Sequence, residues 1–263
     1  IPPDDHHTYA NYGIHHPFKL KHLKHEGFVN ANNSPQAMFS YENIQQLNST
    51  PNVRESGHNF DQELFDNFED GSNLDGFCQT EKYFKHIENE IREDFEFKDD
   101  ILQPCKEFID QYEKIIFLHV RRGDNVGRED YHPIVSFDYY DRARKYFDDD
   151  VNILVCTDDP EWCAEQSYFD DDRFLLNTDV PKYDHLCLEG DGTHKHSCVP
   201  YTDLCLMSLC QGAILAPSTL GWWGAWLQNG KGPVVAPKKW FGSKMSHLDL
   251  SDLFPDDWIT LDD

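Results

Sequence analysis

Arg121 and Arg122 stand side by side in a chain poor in cations, with 23 Lys and Arg against 48 Asp and Glu. They follow the apolar run 115–120 and precede Gly123 and Asp124, so they fall where a strand ends and the backbone turns. Two guanidinium forks at such a place suit bidentate capture of a phosphate or diphosphate. Their other use is pairing with local carboxylates. Asp124 has two uses as well: it orients an arginine, or it accepts a proton as a general base. His119, inside the apolar run, reads either as a core histidine or as part of a ligand site.

Two further polar clusters follow apolar runs. Thr157, Asp158 and Asp159 come after 152–156, and adjacent carboxylates hold a divalent ion across a diphosphate in metal-dependent sugar transfer. The spacing is DD rather than DxD, which favours Asp159 as the cap of a helix opened by Pro160. Ser218 and Thr219 offer hydroxyls and free backbone amides at a helix start, either as an anion-binding end or as plain capping. Asp203, near the start of an apolar helix, points a carboxylate toward an exocyclic amine or serves as an ordinary N-terminal acid. Trp222, Trp223 and Trp226 read as core packing.

The elements that must carry these residues alternate. Tyr83, Phe84, Ile87, Ile91 and Phe95 share one helical face from Glu81 onward. A second helix is expected over 104–113, with Pro104 in its first turn. The run 115–120 predicts a buried parallel strand. A helix over 137–148, a strand over 152–156 and a helix from Pro160 follow. After them come a short strand at 174–176, a helix over 201–211, a strand over 213–216, the tryptophan helix and a last strand at 234–237. This order is that of a doubly wound parallel α/β sheet, whose ligands lie beyond the carboxyl ends of the strands. Segment 185–200 reads as a loop insertion.

A formal charge of −25 disfavours duplex nucleic acid and anionic membrane surfaces as partners. No run of 18 apolar residues predicts a membrane span, and the start carries no export-signal pattern, so the chain as given reads as soluble. None of the eight cysteines forms a CxxC pair, which removes zinc-site spacing, and Cys156 reads as a buried thiol. Histidines 6, 7, 15, 16, 22 and 25 crowd the polar start without a carboxylate or cysteine frame, and a solvated segment is the favoured reading. Sequons at Asn32 and Asn48 are short enough to arise by chance.

Taken together, four blocks resemble the alpha-1,2-fucosyltransferases, glycosyltransferase family 11. Gly76-Phe77-Cys78-Gln79-Thr80-Glu81-Lys82-Tyr83-Phe84 is similar to the family's G-[YF]-x-Q-S-E-K-Y-F. Residues 119–124, HVRRGD, match its H-[VI]-R-R-G-D, and Thr157-Asp158-Asp159 resembles its S-D-D. The block that starts at Asp203, followed by 218–227, resembles D-x-x-x-M-x-x-C and S-T-F-S-W-W-G-A-W-L. Leu220 and Gly221 depart from that last pattern, a change expected to loosen donor contacts.

The resemblance implies a GT-B-like pair of Rossmann-like domains. One is an N-terminal, acceptor-side domain over 1–114. The other is a GDP-sugar-binding domain over 115–263. The family's initial glycine-rich turn has no counterpart in residues 1–75, so a shortened first domain is expected. The activity implied is inverting transfer of fucose from GDP-fucose to an oligosaccharide acceptor, to the 2-hydroxyl of a terminal galactose, with no obligatory metal or other cofactor. Fucosyl transfer of another linkage and a non-catalytic nucleotide-sugar or glycan-binding module are the alternatives. By the same resemblance Arg121 stabilises the departing GDP, Arg122 and Asp124 shape the loop, and Asp124 is the candidate base. His119 and Asp158 line the donor site, Asp203 reads guanine, and Ser218 and Thr219 hold phosphate oxygens. The compartment would be cytoplasmic for a microbial or viral protein and the Golgi lumen for a trimmed eukaryotic one.

Overall fold

The computed structural model describes residues 17–22, 51–69, 72–177, 201–228, 230 and 232–263. The sequons, the loop 185–200 and the early histidines other than His22 lie outside the described residues. Two compact units appear: residues up to Glu96 with Leu248–Pro255, and Phe97–His247 with Asp256–Asp263.

In the first unit, strands β1 (Asn52–Arg54) and β2 (Asn73–Asp75) pair in parallel around helix α1 (Gln62–Asn67). Asp61 caps α1 by accepting the Leu64 N–H at 2.9 Å. The helix expected from Glu81 is broken into two 3-10 turns, Glu81–Tyr83 and Lys85–Ile87, and becomes α-helical only as α2 (Glu88–Asp94). A competing set of contacts explains the break. The Tyr83 hydroxyl donates to Glu55 and accepts the Asp61 N–H, both at 3.0 Å, and its ring packs edge-on to Phe60. The other Glu55 oxygen accepts the Phe77 and Cys78 N–H groups at 2.9 and 3.0 Å. The buried Glu55 side chain also fills the space beside Gly76 that a Cβ would need. Cys78 is held at φ 47, a left-handed conformation unusual for a side-chain-bearing residue. His22 is paired with Glu93 at 2.9 Å.

The second unit opens with α3 (Asp99–Ile109), five residues earlier than expected, and Pro104 lies inside it rather than in its first turn. The apolar spacing of Ile101, Cys105, Phe108 and Ile109 buries one face of this helix and outweighs the hydrogen bond that proline cannot donate. Next come β3 (Ile115–Val120), α4 (Phe137–Arg144), β4 (Asn152–Thr157), α5 (Pro160–Ala164) and β5 (Phe174–Leu176). They are followed by α6 (Tyr201–Leu209), β6 (Ala213–Ile214), α7 (Thr219–Trp226), β7 (Val234–Pro237) and β8 (Ile259–Leu261). The sheet runs β5-β4-β3-β6-β7-β8, with every described pair parallel. Strand β8, beyond the strand expected to be last, extends the sheet, and β6 is two residues long where four were expected.

Both faces of β3 are covered, as period-two side chains require of a fully buried strand. Ile116, Leu118 and Val120 join the core cluster that holds Tyr139, Tyr140, Ala143 and Cys163 from α4 and α5. On the opposite side His119 meets α7 at Gly221, and Gly224 lets the same helix close on Met207. Trp222 and Trp226 are buried, in line with the core reading of the aromatic helix. Cys156 is a buried free thiol; burial also raises its pKa. Among the described residues no helix is long and apolar enough to cross a membrane.

Tyr139 is fully buried, and its hydroxyl donates to the carbonyls of Leu215 at 2.9 Å and Val235 at 3.2 Å. Replacing Tyr139 by Phe keeps the ring and removes the donor, which is expected to cost about 1 kcal/mol. Urea unfolding of the variant beside the wild type measures this; equal stability would show that the hydroxyl contributes nothing.

Candidate functional site

Strands β3 and β4 run in register, with Val120 opposite Thr157. Arg121 and Asp158 therefore leave the sheet side by side. The direction of strand addition reverses between β3 and β6, and the carboxyl ends at such a reversal form the crevice in which open α/β sheets bind ligands. The HVRRGD, Thr157-Asp158-Asp159 and Ser218-Thr219 clusters occupy three of those ends.

Asp158 joins the two strand ends. One of its oxygens accepts the Arg122 N–H at 2.9 Å and the other pairs with the Arg121 guanidinium. Arg121 also pairs with Asp124. A Cβ on Gly123 would collide with the Asp158 carboxylate, so the turn needs glycine there for close approach. Arg122 points elsewhere: its Nε binds Asp159 at 3.1 Å and its guanidinium lies over the Trp162 ring, 3.8 Å from the centroid. Asp159 is at the same time the cap of α5, accepting the Trp162 N–H at 3.3 Å, and its own N–H donates to the Thr157 hydroxyl at 3.0 Å. The two arginines thus differ in role. Arg122 is built into the wall by stacking and pairing, whereas the Arg121 head group sits between two carboxylates at the strand end.

His119 is buried, and its carbonyl accepts the Tyr140 hydroxyl at 2.9 Å. Burial, and secondarily the Arg121 charge, push its pKa down to about 3, so the ring is neutral at physiological pH. Its Nδ1 has no hydrogen-bond partner. Gly221 abuts this ring, and a Cβ there would come within 2.5 Å of Nδ1. The missing side chain is what admits the histidine. Ser218 takes the N-cap position of α7, but its side chain makes no capping bond; Thr219 is exposed. Asp203, in the first turn of α6, has its Oδ2 2.9 Å from the Asn177 amide nitrogen, which also donates to the Thr157 carbonyl at 3.2 Å. Among the described residues no group of three or more His, Cys, Asp or Glu side chains is placed to hold a metal ion.

Sequence reasoning missed Trp162 and Asn177. Nothing in the local pattern marks Trp162, whose role depends on the direction Arg122 takes. Asn177 carries a usable signal: it follows β5 directly, as Asp158 follows β4, so the strand-end rule reaches it.

The chain matches the model of glycosyl transferase family 11 over residues 56–262. It is 31% identical over 182 residues to the O-antigen biosynthesis glycosyltransferase WbnK of Escherichia coli, covering 64% of this chain and 53% of that protein. An alpha-1,2-colitosyltransferase of Escherichia coli is 28% identical and matches 97% of this chain and 86% of its own length. The galactoside alpha-(1,2)-fucosyltransferase 1 of Plecturocebus brunneus is 27% identical over 60% of this chain and 43% of its own. The chain therefore spans about half the length of the first and third of these relatives. A solved structure, the fucosyltransferase NodZ from Bradyrhizobium, is similar at a TM-score of 0.38 and 16% identity, over 62% of this chain and 54% of that one.

The buried neutral histidine sets a pH dependence. Between the ordinary histidine value of 6.5 and about 3, the unfolded chain takes up a proton that folded His119 refuses. Its contribution to stability is therefore fully present above that window and is lost as pH falls through it, at up to about 1.4 kcal/mol per pH unit. From pH 7 to pH 5 the wild type is expected to lose about 2 kcal/mol more than His119→Asn. Urea denaturation of both proteins at the two pH values gives the difference; parallel losses would contradict a buried neutral ring.

Proposed function

The chain belongs to glycosyl transferase family 11, and we propose that it moves fucose from GDP-fucose to the 2-hydroxyl of a terminal galactose on an oligosaccharide acceptor. The observation that carries this reading is the Arg121 head group held between Asp124 and Asp158 at the strand end where the sheet reverses. A diphosphate offers that guanidinium two anionic oxygens in place of the one oxygen that each carboxylate now supplies. In this reading residues 115–263 form the Rossmann-like, doubly wound donor half of a GT-B arrangement, and the region 1–114 carries the acceptor side.

The chemistry is a single displacement with inversion. The acceptor oxygen attacks the fucose anomeric carbon, the bond from that carbon to the β-phosphate oxygen breaks, and GDP leaves with the electron pair. Negative charge grows on the diphosphate, where Arg121 opposes it. Ser218, Thr219 and the amides at the start of α7 hold further phosphate oxygens. Arg122, stacked on Trp162, and Asp158 keep the loop in place while Arg121 changes partner. A phosphate that takes Arg121 releases the Asp124 carboxylate, which then accepts the proton of the attacking hydroxyl. Asp203 accepts from the N1 and N2 donors of guanine, and neutral His119 lines the donor site beside α7.

A second reading keeps the site and changes the sugar. The alpha-1,2-colitosyltransferase matches nearly the whole chain, which favours a colitosyl group in place of fucose. Turnover of GDP-fucose and of a colitose donor, measured side by side with galactosides, separates the two.

Two outcomes test the site itself. Arg121→Ala is expected to lower transfer by about a thousandfold with the fold retained by circular dichroism. Transfer at the wild-type rate would remove Arg121 from the donor site. Calorimetric titration is expected to show GDP binding well over UDP, unchanged by EDTA. Strict Mg²⁺ dependence would instead return Asp158 and Asp159 as metal ligands, and no nucleotide binding at all would leave a non-catalytic module. Donor hydrolysis without acceptor separates an enzyme from such a module.

A further inference from the structure

We propose that Asn177 is a positioning residue for nucleotide recognition, holding the Asp203 carboxylate in the direction from which it meets the base. This rests on the reading of Asp203 as the guanine contact and adds the group that aims it.

Asn177 leaves the sheet one residue after β5, which pairs with β4 through Val155 and Leu176. Its Nδ2 donates in two directions, to the Thr157 carbonyl at 3.2 Å and to Asp203 Oδ2 at 2.9 Å. One amide group thus ties the end of β4 to the first turn of α6. The amide can sit only one way round. Turned over, it would set its oxygen against a carbonyl oxygen and a carboxylate, three acceptors with no proton among them. In the orientation present, Oδ1 is buried and has no partner. A buried acceptor without a donor costs stability. The side chain accepts that cost while both of its protons are committed, one of them to the carboxylate assigned to the base. An amide placed only to satisfy itself would not be arranged in this way.

Fixing one Asp203 oxygen by a neutral donor leaves the charge of the carboxylate in place and restricts its rotation. Guanine presents adjacent N–H donors along one edge, and a carboxylate held at one angle discriminates them from an edge without the exocyclic amine. Asn177 would therefore act on the base-dependent part of binding. The diphosphate, held by Arg121 and the start of α7, would not register its loss.

The test is calorimetry on the full chain with three probes: GDP, inosine diphosphate (which lacks the exocyclic amine) and inorganic pyrophosphate. Asn177→Ala is expected to weaken GDP about tenfold, to shrink the preference for GDP over inosine diphosphate, and to leave pyrophosphate affinity unchanged. In Asn177→Ala/Asp203→Ala the two losses should not add, because one acts through the other. Should the alanine variant fail to fold, Asn177→Ser carries the same test; it keeps a small polar side chain at the strand end but no amide to span both Thr157 and Asp203, so GDP weakens with pyrophosphate unmoved. Equal weakening of GDP and pyrophosphate would make Asn177 a general structural residue and overturn the proposal. So would additive losses, or an unaffected Asn177→Ala where Asp203→Ala loses GDP. An Asp203→Ala variant that binds GDP normally would instead overturn the guanine reading on which this inference stands.

Discussion

The site depends on one carboxylate placed where two parallel strands run out of partners. Beyond Val120 and Thr157 the ladder no longer supplies acceptors, and Asp158 takes over with its two oxygens, one on the Arg122 N–H and one on the Arg121 guanidinium. Gly123 lacks a side chain so that this carboxylate can approach. With the backbone held at Arg122, that side chain leaves in the opposite direction and settles on Trp162 and Asp159. Two consecutive arginines thereby take different partners, one built into the wall and one held between two carboxylates.

The electrostatics of the cluster follow from the same arrangement. Arg121 and Arg122 face Asp124, Asp158 and Asp159, so in the free protein their charges are already matched by carboxylates. In a chain with a formal charge of −25 this is also how two cations are kept together and in place. On the proposed reading, a diphosphate entering the site would exchange one anion for another rather than neutralise a bare cationic patch, and the exchange would confine the rearrangement to side chains. The neighbouring His119 cannot add positive charge to the site, since burial keeps it neutral.

Much of the second unit is legible because its signals are short-range. Continuous apolar runs such as 115–120 and 152–156 have few alternatives to buried strands, and their polar ends mark the site. The Asp159-Pro160 pair announced the cap of α5, and the structure bears that out. What was not legible depended on contacts distant in sequence. The helical spacing from Glu81 is genuine, but Glu55 and Asp61 pull Tyr83 out of it. Pro104 marks a helix start only when the apolar face begins after it, and here Ile101 begins it earlier. Strand β8 has three residues among acidic neighbours, too few for the alternation of Ile259, Thr260 and Leu261 to stand out; pairing with β7 makes it a strand. Whether an arginine turns to carboxylates alone or stacks on a tryptophan as well is likewise absent from local pattern, as the division between Arg121 and Arg122 shows.

Helix α7 carries a constraint of another kind. It touches the sheet at Gly221, against His119, and its neighbouring helix at Gly224, where a Cβ would come within 2.6 Å of Met207. At both points the helix presents backbone, with no side chain that could be enlarged, shortened or recharged. Mutational drift toward a new donor has little purchase there. A lineage or a designer seeking a different sugar would have to work through the side chains that ring this helix, while the helix itself stays as the fixed jig against which each variant is fitted.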